Sequence, residues 1–378
     1  MRYAHNGDVA IAYQVFGQGP ADLVCIPGFI SNLYWNWELP DFSRMLTGLG
    51  SFARIAIMDR RGVGLLAGRR RASRAWCRCR PLPCGCRDRA EQAMAGRVAE
   101  FEVLGPWSLE PSRRFWEGFT PTALAGGLAG PVLRTVFCAE GDWHRAEVEV
   151  TQAGDTAHMV LAGDGDLDAA AAQVRRFLAL DVDARGWPEV GRRDPVIADA
   201  QVRLPGLRPC GFHSPYEAAA WSVLSQRLRI VQAARLRAEL IARHGDGGAF
   251  PSPQTLRTLD LDLPERKGEY LRAVAEAALD GLLDGAALRA IDPGLAIQRV
   301  QQVKGLGPFA AELVVVRGAN APDALPRHER RLNAEIAERY GPGRTLAEVS
   351  EAWRPYRTWA AVHLRALREP RTGEIAGR

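Results

Sequence analysis

A short glycine-rich stretch constrains this chain more than any other feature of its sequence. It reads Lys304-Gly305-Leu306-Gly307-Pro308, and apolar residues recur at roughly helical spacing on both sides of it. We expect both glycines to take positive φ and to let a ligand approach the backbone, while Pro308 suits the first position of a helix. The N–H groups at such a helix start favour an anion, most simply a phosphate. The stretch therefore predicts a helix, a tight hairpin and a second helix.

This hairpin resembles that of the helix-hairpin-helix DNA glycosylase superfamily, and specifically that of the 3-methyladenine DNA glycosylase II family. Further motifs follow in the family's order and approximate spacing: Ser214-Pro215-Tyr216-Glu217, Val223-Leu224-Ser225-Gln226, Phe250-Pro251-Ser252-Pro253, Arg266-Lys267-Gly268-Glu269-Tyr270-Leu271 and Trp353-Arg354-Pro355-Tyr356-Arg357-Thr358-Trp359-Ala360. The resemblance implies an α+β chain. An all-α helix-hairpin-helix glycosylase domain is expected at 200–370, and a small antiparallel β-sheet and helix domain, similar to half of a TATA-binding protein, at 98–195.

The periodicity of the residues favours the same division. Strand-like patterns occur in four segments, at 101–104, 133–137, 146–150 and 158–161. A helical pattern follows at 169–180, and residues 203–363 look helical almost throughout, with glycine and proline at the breaks. A small sheet followed by a helical domain is therefore predicted.

Residues 1–66 indicate the opening of a different fold. Strands are predicted at 9–15, 22–26 and 55–58, with a helix-like stretch at 35–49. This order resembles the first strands and first helix of a truncated α/β-hydrolase, with Pro27-Gly28-Phe29 where the oxyanion loop would lie. No Gly-x-Ser-x-Gly nucleophile elbow occurs in the 378 residues, so no catalytic triad can be assigned. A serine hydrolase is therefore disfavoured.

Residues 67–97 read as an unstructured junction rich in arginine and cysteine. Eight arginines and four cysteines fall between Arg69 and Arg89, a composition that neither builds a core nor resembles a usual linker. A fused or frameshifted reading frame and a basic arm that grips DNA are the two explanations. The spacing within Cys77–Cys86 departs from the C-x₂₋₄-C of structural zinc sites. No cysteine follows Cys210, so the cluster loop of some relatives is absent and no iron–sulfur cluster is expected.

The positive charge of the chain lies outside the part that resembles a glycosylase. The formal net charge is +5, but residues 1–100 hold 14 basic and 8 acidic residues, and the remainder holds 35 basic and 36 acidic. Any contact with DNA phosphates is therefore expected to be local. No apolar run approaches 18 residues and no secretory signal is visible, so we expect a cytoplasmic, nucleoid-associated protein with no membrane partner.

The resemblance implies that Glu329 is the catalytic carboxylate. It lies 24 positions after Gly305, where the family has an aspartate, and apolar Leu332 follows it at the family's offset. Excising a base breaks a C1′–N bond, and a carboxylate beside C1′ stabilises the positive charge that develops on the sugar. Taken alone, Glu329 reads as an acid at a helix N-terminus. Asp323 and His328 are weaker substitutes.

A second position implies a monofunctional enzyme. Bifunctional relatives carry a lysine two residues after the second hairpin glycine, where this chain has Phe309. Lys304 precedes the hairpin and is expected to meet a phosphate instead. The resemblance therefore implies release of alkylated purines such as 3-methyladenine and 7-methylguanine in base-excision repair, with an abasic site as product. The alternative is a non-catalytic or weakly catalytic protein of the same fold that binds damaged DNA.

Aromatic residues are the candidates for a pocket that holds the flipped base, because cationic alkylated purines stack well on electron-rich rings. Six aromatic side chains are considered, of which two are expected near the base: Phe309, Tyr216, Trp221, Trp353, Tyr356 and Trp359. A pocket tryptophan of the family's final helix corresponds to Arg365, which leaves the range of substrates open.

Two further sites follow from the resemblance. Gln226 and Arg227 end the turn that follows Val223. In the family an apolar residue after the glutamine fills the gap that the flipped nucleotide leaves in the duplex. This chain has Arg227 at that position, followed by Leu228. Hairpins of this type often hold a monovalent cation on backbone carbonyls, and Gln301, Val303 and Leu306 are the matching positions for Na⁺ or K⁺. No other cofactor is expected to be required, and the expected partner of the monomer is double-stranded DNA with alkylated bases.

Overall fold

A computed structural model describes residues 2–6, 9–17, 20–25, 40–51, 53–58, 96–118, 131–264 and 266–372. The chain forms two units, Met1–Cys84 and Gly85–Arg378. Within the described residues, no helix is both long and apolar enough to span a membrane.

The first unit contains a mixed four-stranded sheet. Its elements are β1 (Arg2–Asn6), β2 (Val9–Phe16), β3 (Ala21–Cys25), α1 (Pro40–Gly50) and β4 (Ala53–Met58). The strand order is β1-β2-β4-β3, with β3 and β4 parallel and the other pairs antiparallel. Ile55 and Ile57 of β4 and Leu46 of α1 are fully buried, as the apolar alternation indicates. Strands and a helix are present where the sequence predicts them, and the likeness to an α/β-hydrolase stays a prediction.

Two features predicted for the N-terminal part fall outside the described residues. Pro27-Gly28-Phe29 belong to a segment that the structure does not describe, and so does most of the junction, including Cys77–Cys86. The oxyanion loop, the basic arm and the cysteine spacing therefore stay predictions.

The second unit begins with a four-stranded antiparallel sheet. Its elements are β5 (Arg97–Glu102), α2 (Leu109–Glu117), β6 (Leu133–Cys138), β7 (Arg145–Ala153), β8 (Thr156–Gly163) and α3 (Leu167–Phe177). The strand order is β5-β8-β7-β6. Alternate residues of each strand face one core, in which Val148 and Met159 of the sheet meet Val174 and Phe177 of α3. β6, β7 and β8 run longer than their predicted segments because their exposed residues also pair, whereas β5 ends at Glu102, before the end of the predicted segment 101–104.

Helices make up the rest of the second unit. They are α4 (Trp187–Arg193), α5 (Pro195–Arg203), α6 (Pro215–Leu224), α7 (Ile230–His244), α8 (Pro253–Thr258), α9 (Lys267–Leu279), α10 (Gly285–Arg289), α11 (Pro293–Val300), α12 (Pro308–Leu313), α13 (Arg330–Tyr340), α14 (Leu346–Ser350) and α15 (Arg357–Thr372). Many begin at a side chain that caps free N–H groups, as Ser214 does for α6 and Asp292 for α11. A π-helix, Val314–Gly318, continues α12, and a 3₁₀ turn, Glu351–Trp353, precedes α15.

A buried arginine ties the sheet to the helices. Arg208 has no exposed surface, and its guanidinium donates to the carbonyl oxygens of Ala179 at 2.7 Å, Val182 at 2.9 Å and Leu104 at 2.6 Å. Burial lowers the pKa of Arg208 to about 10, which leaves it charged at neutral pH. Because these carbonyls come from separate segments, one side chain holds several chain crossings together.

Candidate active site

The hairpin joins α11 to α12, and its two glycines differ. Gly305 has φ of 93°, and a Cβ there would lie 2.4 Å from Cγ of Tyr270. Gly307 has φ of −82° and ψ of −179°, an ordinary extended conformation, and a Cβ there would meet nothing within 4 Å. The prediction of positive φ is therefore wrong for Gly307, because the turn needs only one left-handed residue. Nothing in the described fold requires glycine at 307, which leaves close approach of an outside ligand as its physical use.

Lys304, beside the hairpin, forms an ion pair with Glu269. Hydrogen bonds from Arg266 and Lys304 lower the pKa of the Glu269 carboxyl to about 2. The Lys304 side chain stays 57% exposed, and surface pairs of this kind contribute little to stability. The Lys304 ammonium thus faces solvent next to the hairpin, and the Glu269 carboxylate partly neutralises its charge.

The loop after α6 is tied to the hairpin. Nε2 of Gln226 donates to the carbonyl oxygen of Gly305 at 2.8 Å. Lys267, which is 2% exposed, donates from Nζ to the carbonyl oxygens of Val223 at 3.0 Å and Gln226 at 2.6 Å. Arg227 is exposed, with φ of 54°. Gln226 thus positions the loop, and Arg227 extends from it.

Sequence reasoning missed the part played by Lys267. The available signal was the position of Lys267 at the start of the apolar pattern of α9. A lysine at such a position is buried only if hydrogen-bond acceptors surround its ammonium group. The last carbonyls of a helix such as α6 are acceptors of this kind.

A cavity of about 930 Å³ lies beside the hairpin. Its walls come from α2, α6, α12, the π-helix, α13 and α15, and its lining includes Trp221, Leu228, Phe309, Glu312, Val316, Arg317, His328, Glu329 and Arg365. The π-helix contributes because its widened turn, in which Ala319 N donates to Val314 O at 2.8 Å, brings Val316 and Arg317 to the wall. The cavity therefore contains the predicted carboxylate together with further charged groups.

Glu329 is the N-cap of α13 and lines this cavity. Its Oε1 accepts the N–H of Arg331 at 3.0 Å, and the residue is half-buried. Arg317 lies near enough to interact electrostatically with Glu329. The guanidinium of Arg317 donates to the carbonyl oxygen of Cys210 at 2.7 Å and lies 5.1 Å from the ring centroid of Phe115. Burial lowers the pKa of Arg317 to about 10, so a positive charge is held within the field of the carboxylate.

A second carboxylate, Glu312, holds the residue that precedes Glu329. Glu312 is 4% exposed; its Oε2 accepts the backbone N–H of His328 at 2.8 Å, and its Oε1 lies 2.7 Å from Nδ1 of His328. The His328 side chain is 55% exposed and lines the cavity. Sequence reasoning missed Glu312, although an acid within the apolar run of α12 and the π-helix was the available signal.

Comparison with known proteins shows what the chain is similar to. No family model matches it. A Mycobacterium tuberculosis protein named "Probable bifunctional transcriptional activator/DNA repair enzyme AlkA" is 30% identical over 242 residues, which are 59% of this chain and 48% of that protein. A Bacillus subtilis DNA-3-methyladenine glycosylase is 23% identical over 210 residues, 50% of this chain and 69% of that enzyme. The chain is therefore similar to DNA-3-methyladenine glycosylases and to a DNA repair enzyme. It spans about half the length of the Mycobacterium tuberculosis relative.

The fold agrees with that of a solved glycosylase structure. The 3-methyladenine DNA-glycosylase from Archaeoglobus fulgidus superposes with a TM-score of 0.56 at 18% identity, covering 73% of this chain and 99% of that one. At this identity the likeness shows the fold, and the predicted helix-hairpin-helix architecture is confirmed for the part that superposes.

Two of the six candidate aromatic side chains line the cavity, Phe309 and Trp221. Phe309 is 49% exposed and Trp221 is 5% exposed, so Phe309 is the ring more open to a ligand. The other four are buried in the core and do not line the cavity: Tyr216, Trp353, Tyr356 and Trp359.

The polar atoms of three of these core residues are bound within the protein. The hydroxyl of Tyr216 donates to Pro251 O at 2.8 Å, Nε1 of Trp353 donates to Asp194 Oδ2 at 2.8 Å, and the hydroxyl of Tyr356 donates to Asp183 O at 2.7 Å. Trp359 has no exposed surface. Their helical spacing is that of core residues, which sequence alone does not separate from a pocket.

The remaining candidate site residues divide in the same way. Arg365 lines the cavity as the resemblance implies, and so does His328. Asp323 instead pairs with Arg354 at 3.0 Å and Arg357 at 3.0 Å and is not part of the lining. Of the two substitutes for Glu329, only His328 therefore shares its cavity.

The carbonyls suggested for a monovalent cation lie in the hairpin. Val303 O accepts the N–H of Leu306 at 3.1 Å, which leaves one lone pair of that oxygen for a cation. Carbonyl oxygens suit a hard cation. No cluster of three or more His, Cys, Asp or Glu residues that could bind a metal occurs in the described ranges.

Proposed function

We propose that this chain is a monofunctional DNA glycosylase that hydrolyses the N-glycosidic bond of alkylated purines in duplex DNA, as in base-excision repair. The observation that carries the proposal is the position of Glu329, which lines a cavity beside a hairpin of the glycosylase fold. The comparisons support the reaction class, since one relative is named a DNA-3-methyladenine glycosylase and another a probable DNA repair enzyme. The bases proposed are 3-methyladenine and 7-methylguanine.

The hairpin would hold the DNA backbone. Gly307 leaves open space where a side chain would project, and the first turn of α12 presents N–H groups that have no partner within the helix. Lys304 would exchange its pair with Glu269 for a phosphate, at little cost because that pair is exposed. Such contacts fix the position of the protein on the duplex and carry no sequence information. A Na⁺ or K⁺ ion on the carbonyls of Gln301, Val303 and Leu306 would bridge the hairpin to the same phosphate.

The cavity would receive the flipped nucleotide. Extruding a base costs a few kcal/mol, which favours pairs already weakened by damage. Phe309 offers an exposed ring face at the cavity, and a cationic alkylated purine is attracted to such a face. Arg227, exposed at the tip of the loop that Gln226 ties to the hairpin, would enter the gap left in the duplex.

Glu329 would supply the chemical stabilisation. As the C1′–N bond breaks, positive charge develops on the sugar, and a fixed carboxylate next to it lowers the energy of that state. The bond from Arg331 N–H fixes one oxygen of the longer glutamate side chain at the helix start. Phe309 has no amine to form a Schiff base, so the product would be an intact strand with an abasic site. The active protein would be a monomer acting at the nucleoid.

One observation favours a second function, binding of damaged DNA without rapid cleavage. Part of the Glu329 carboxylate already serves as the cap of α13, and Arg365 adds a positive charge to the cavity that would receive a cationic base. Formation of abasic sites in methylated duplex separates the two functions, since a binding protein would shift the duplex on a gel and leave its bases intact.

The test is single-turnover base release from methylated duplex by the wild type, Glu329→Gln and Glu329→Asp. We expect Glu329→Gln to lose about a hundredfold or more in rate, since loss of a preorganised charge typically costs about 3–4 kcal/mol. Duplex binding should stay within about twofold. Glu329→Asp should retain or raise activity, because it restores the length of the family's side chain.

Two results would contradict the proposal. A Gln variant as fast as the wild type would reduce Glu329 to a helix cap, and His328 would be tested next. A protein–DNA adduct trapped by borohydride would refute the monofunctional mechanism.

A further inference from the structure

We propose that Glu312 and His328 form a carboxylate–imidazole pair that takes the proton from the attacking water, while Glu329 stabilises the sugar cation. This inference rests on the proposed function and divides its chemistry between two groups. The pair lines the same cavity as Glu329, and His328 directly precedes Glu329 in the chain.

The geometry of the Glu312 carboxylate is the first support. Both of its oxygens are used on one residue, Oε2 by the backbone N–H of His328 at 2.8 Å and Oε1 by its ring at 2.7 Å. An acid that is 4% exposed on a largely apolar helix is costly unless it is paired. The backbone bond alone would fix the loop, so the second bond is free to orient the imidazole.

The chemistry of the pair defines which nitrogen is available. An ionised carboxylate only accepts hydrogen bonds, so the Nδ1 that faces Glu312 carries the hydrogen. In the neutral ring Nε2 then carries a lone pair, and it belongs to a side chain that is 55% exposed at the cavity. This is the arrangement in which a carboxylate holds an imidazole in the tautomer that accepts a proton.

The reaction balances with these groups. The water oxygen bonds to C1′, the C1′–N bond breaks, and its electron pair stays on the departing base. A cationic alkylated base thereby leaves as a neutral molecule. The proton released by the water goes to Nε2 of His328, whose exposure allows it to pass to bulk solvent afterwards. Glu329 keeps its negative charge throughout, opposite the sugar.

The main test removes the imidazole and then supplies it from solution. In His328→Ala the backbone N–H that Glu312 accepts is retained, so the loop keeps that tie. We expect single-turnover base release to fall about a hundredfold, the lower range for loss of a general base, with duplex binding within about twofold. Added imidazole should restore at least about a tenth of the lost rate, which it would not do for a structural residue.

A second variant tests the tautomer, and a third serves as control. In Glu312→Gln the amide oxygen can keep the backbone bond while its NH₂ group faces Nδ1 and drives the hydrogen to Nε2, so release should fall as in His328→Ala. His158→Ala is the matched control, because it removes another imidazole paired with a glutamate, Glu100 at 3.3 Å on the β-sheet. It should release base at the wild-type rate.

The outcomes separate this inference from the proposed function. If the wild type releases no base, the proposed function fails and this inference falls with it. If the wild type releases base and His328→Ala does so within about twofold, the inference alone is wrong. A His328→Ala variant that is slow, binds duplex weakly and is not rescued by imidazole would show a phosphate contact instead, which also overturns the inference.

Discussion

Two carboxylate–histidine pairs occupy different regions of this chain and differ in what surrounds the ring. In the interior, Glu217 Oε1 lies 3.1 Å from Nδ1 of His213, and both side chains are less than 10% exposed. At the cavity, Glu312 is equally buried, but the His328 ring is 55% exposed. Both carboxylates are buried, but the His213 ring lies in the protein interior and the His328 ring faces solvent.

The interior ring has its other positions filled by protein. Nε2 of His213 lies 2.8 Å from Oγ1 of Thr135 on β6, and the ring stacks on Phe137 at a centroid distance of 5.3 Å. Glu217 also accepts from Arg237 at 2.7 Å. Burial raises the pKa of Glu217, but His213 and Arg237 outweigh burial and hold that pKa at about 2. The difference teaches that the interior pair is enclosed and serves stability, whereas the ring of the cavity pair remains exposed.

Breaking the interior pair should have the largest effect on stability. Glu217→Ala leaves Arg237 buried without its carboxylate, and loss of one partner of a buried pair costs about 3–5 kcal/mol of unfolding free energy. Denaturant unfolding followed by tryptophan fluorescence measures this loss. Glu312→Gln should cost less than about 1 kcal/mol, because its partner ring faces solvent. Equal losses in the two variants would remove the distinction between the pairs.

A third imidazole sharpens the comparison through pH. His363 has no exposed surface, and burial lowers its pKa to about 4, although the bond to the Trp359 carbonyl opposes this. The folded protein thus keeps the ring neutral while the unfolded chain protonates it below pH of about 6.5. The contribution of His363 to stability is therefore full above about 6.5, and about 3 kcal/mol of it is lost as the pH drops to about 4.

Unfolding free energy measured between pH 7 and 4 checks this expectation. His363→Gln, which does not titrate, should lose about 3 kcal/mol less stability than the wild type over that range. The contribution of Glu217 is lost only at lower pH, between about 4.5 and its folded pKa of about 2, so the two effects are separable. Wild-type and His363→Gln profiles that run parallel from 6.5 to 4 would contradict the buried neutral ring.

The two hairpin glycines test the contrast between an enclosed and an open position, with the smallest expected changes in stability. Gly305→Ala forces a side chain into positive φ and against the Tyr270 ring, which should cost about 1–3 kcal/mol of stability. Gly307→Ala should leave stability within about 0.5 kcal/mol and weaken binding to damaged and undamaged duplex alike. Thermal unfolding and fluorescence anisotropy measure the two effects. If Gly307→Ala affected only damaged duplex, the hairpin would belong to the base pocket.

Sequence patterns predicted what depends on local spacing. The hairpin and the strands β6, β7 and β8 follow from residues near one another in the chain and lie where the patterns predict them, whereas the role of Glu329 was implied by the resemblance and stays a prediction. The face that each helix turns inward is set by packing between distant segments, so helical spacing selected Trp353 and Trp359 as readily as Phe309. Lys267 and Glu312 were missed for the same reason, since their partners become neighbours only after folding.

The hydrogen bond from Gln226 to Gly305 joins the loop after α6 to the hairpin. This bond ties the loop that carries Arg227 to the hairpin that contains Gly307, so the spacing between the two segments is set within the protein. In the proposed function, a sound duplex resists being fitted to that spacing, whereas one with a weakened pair yields. The protein would then detect damage through the ease with which the DNA deforms.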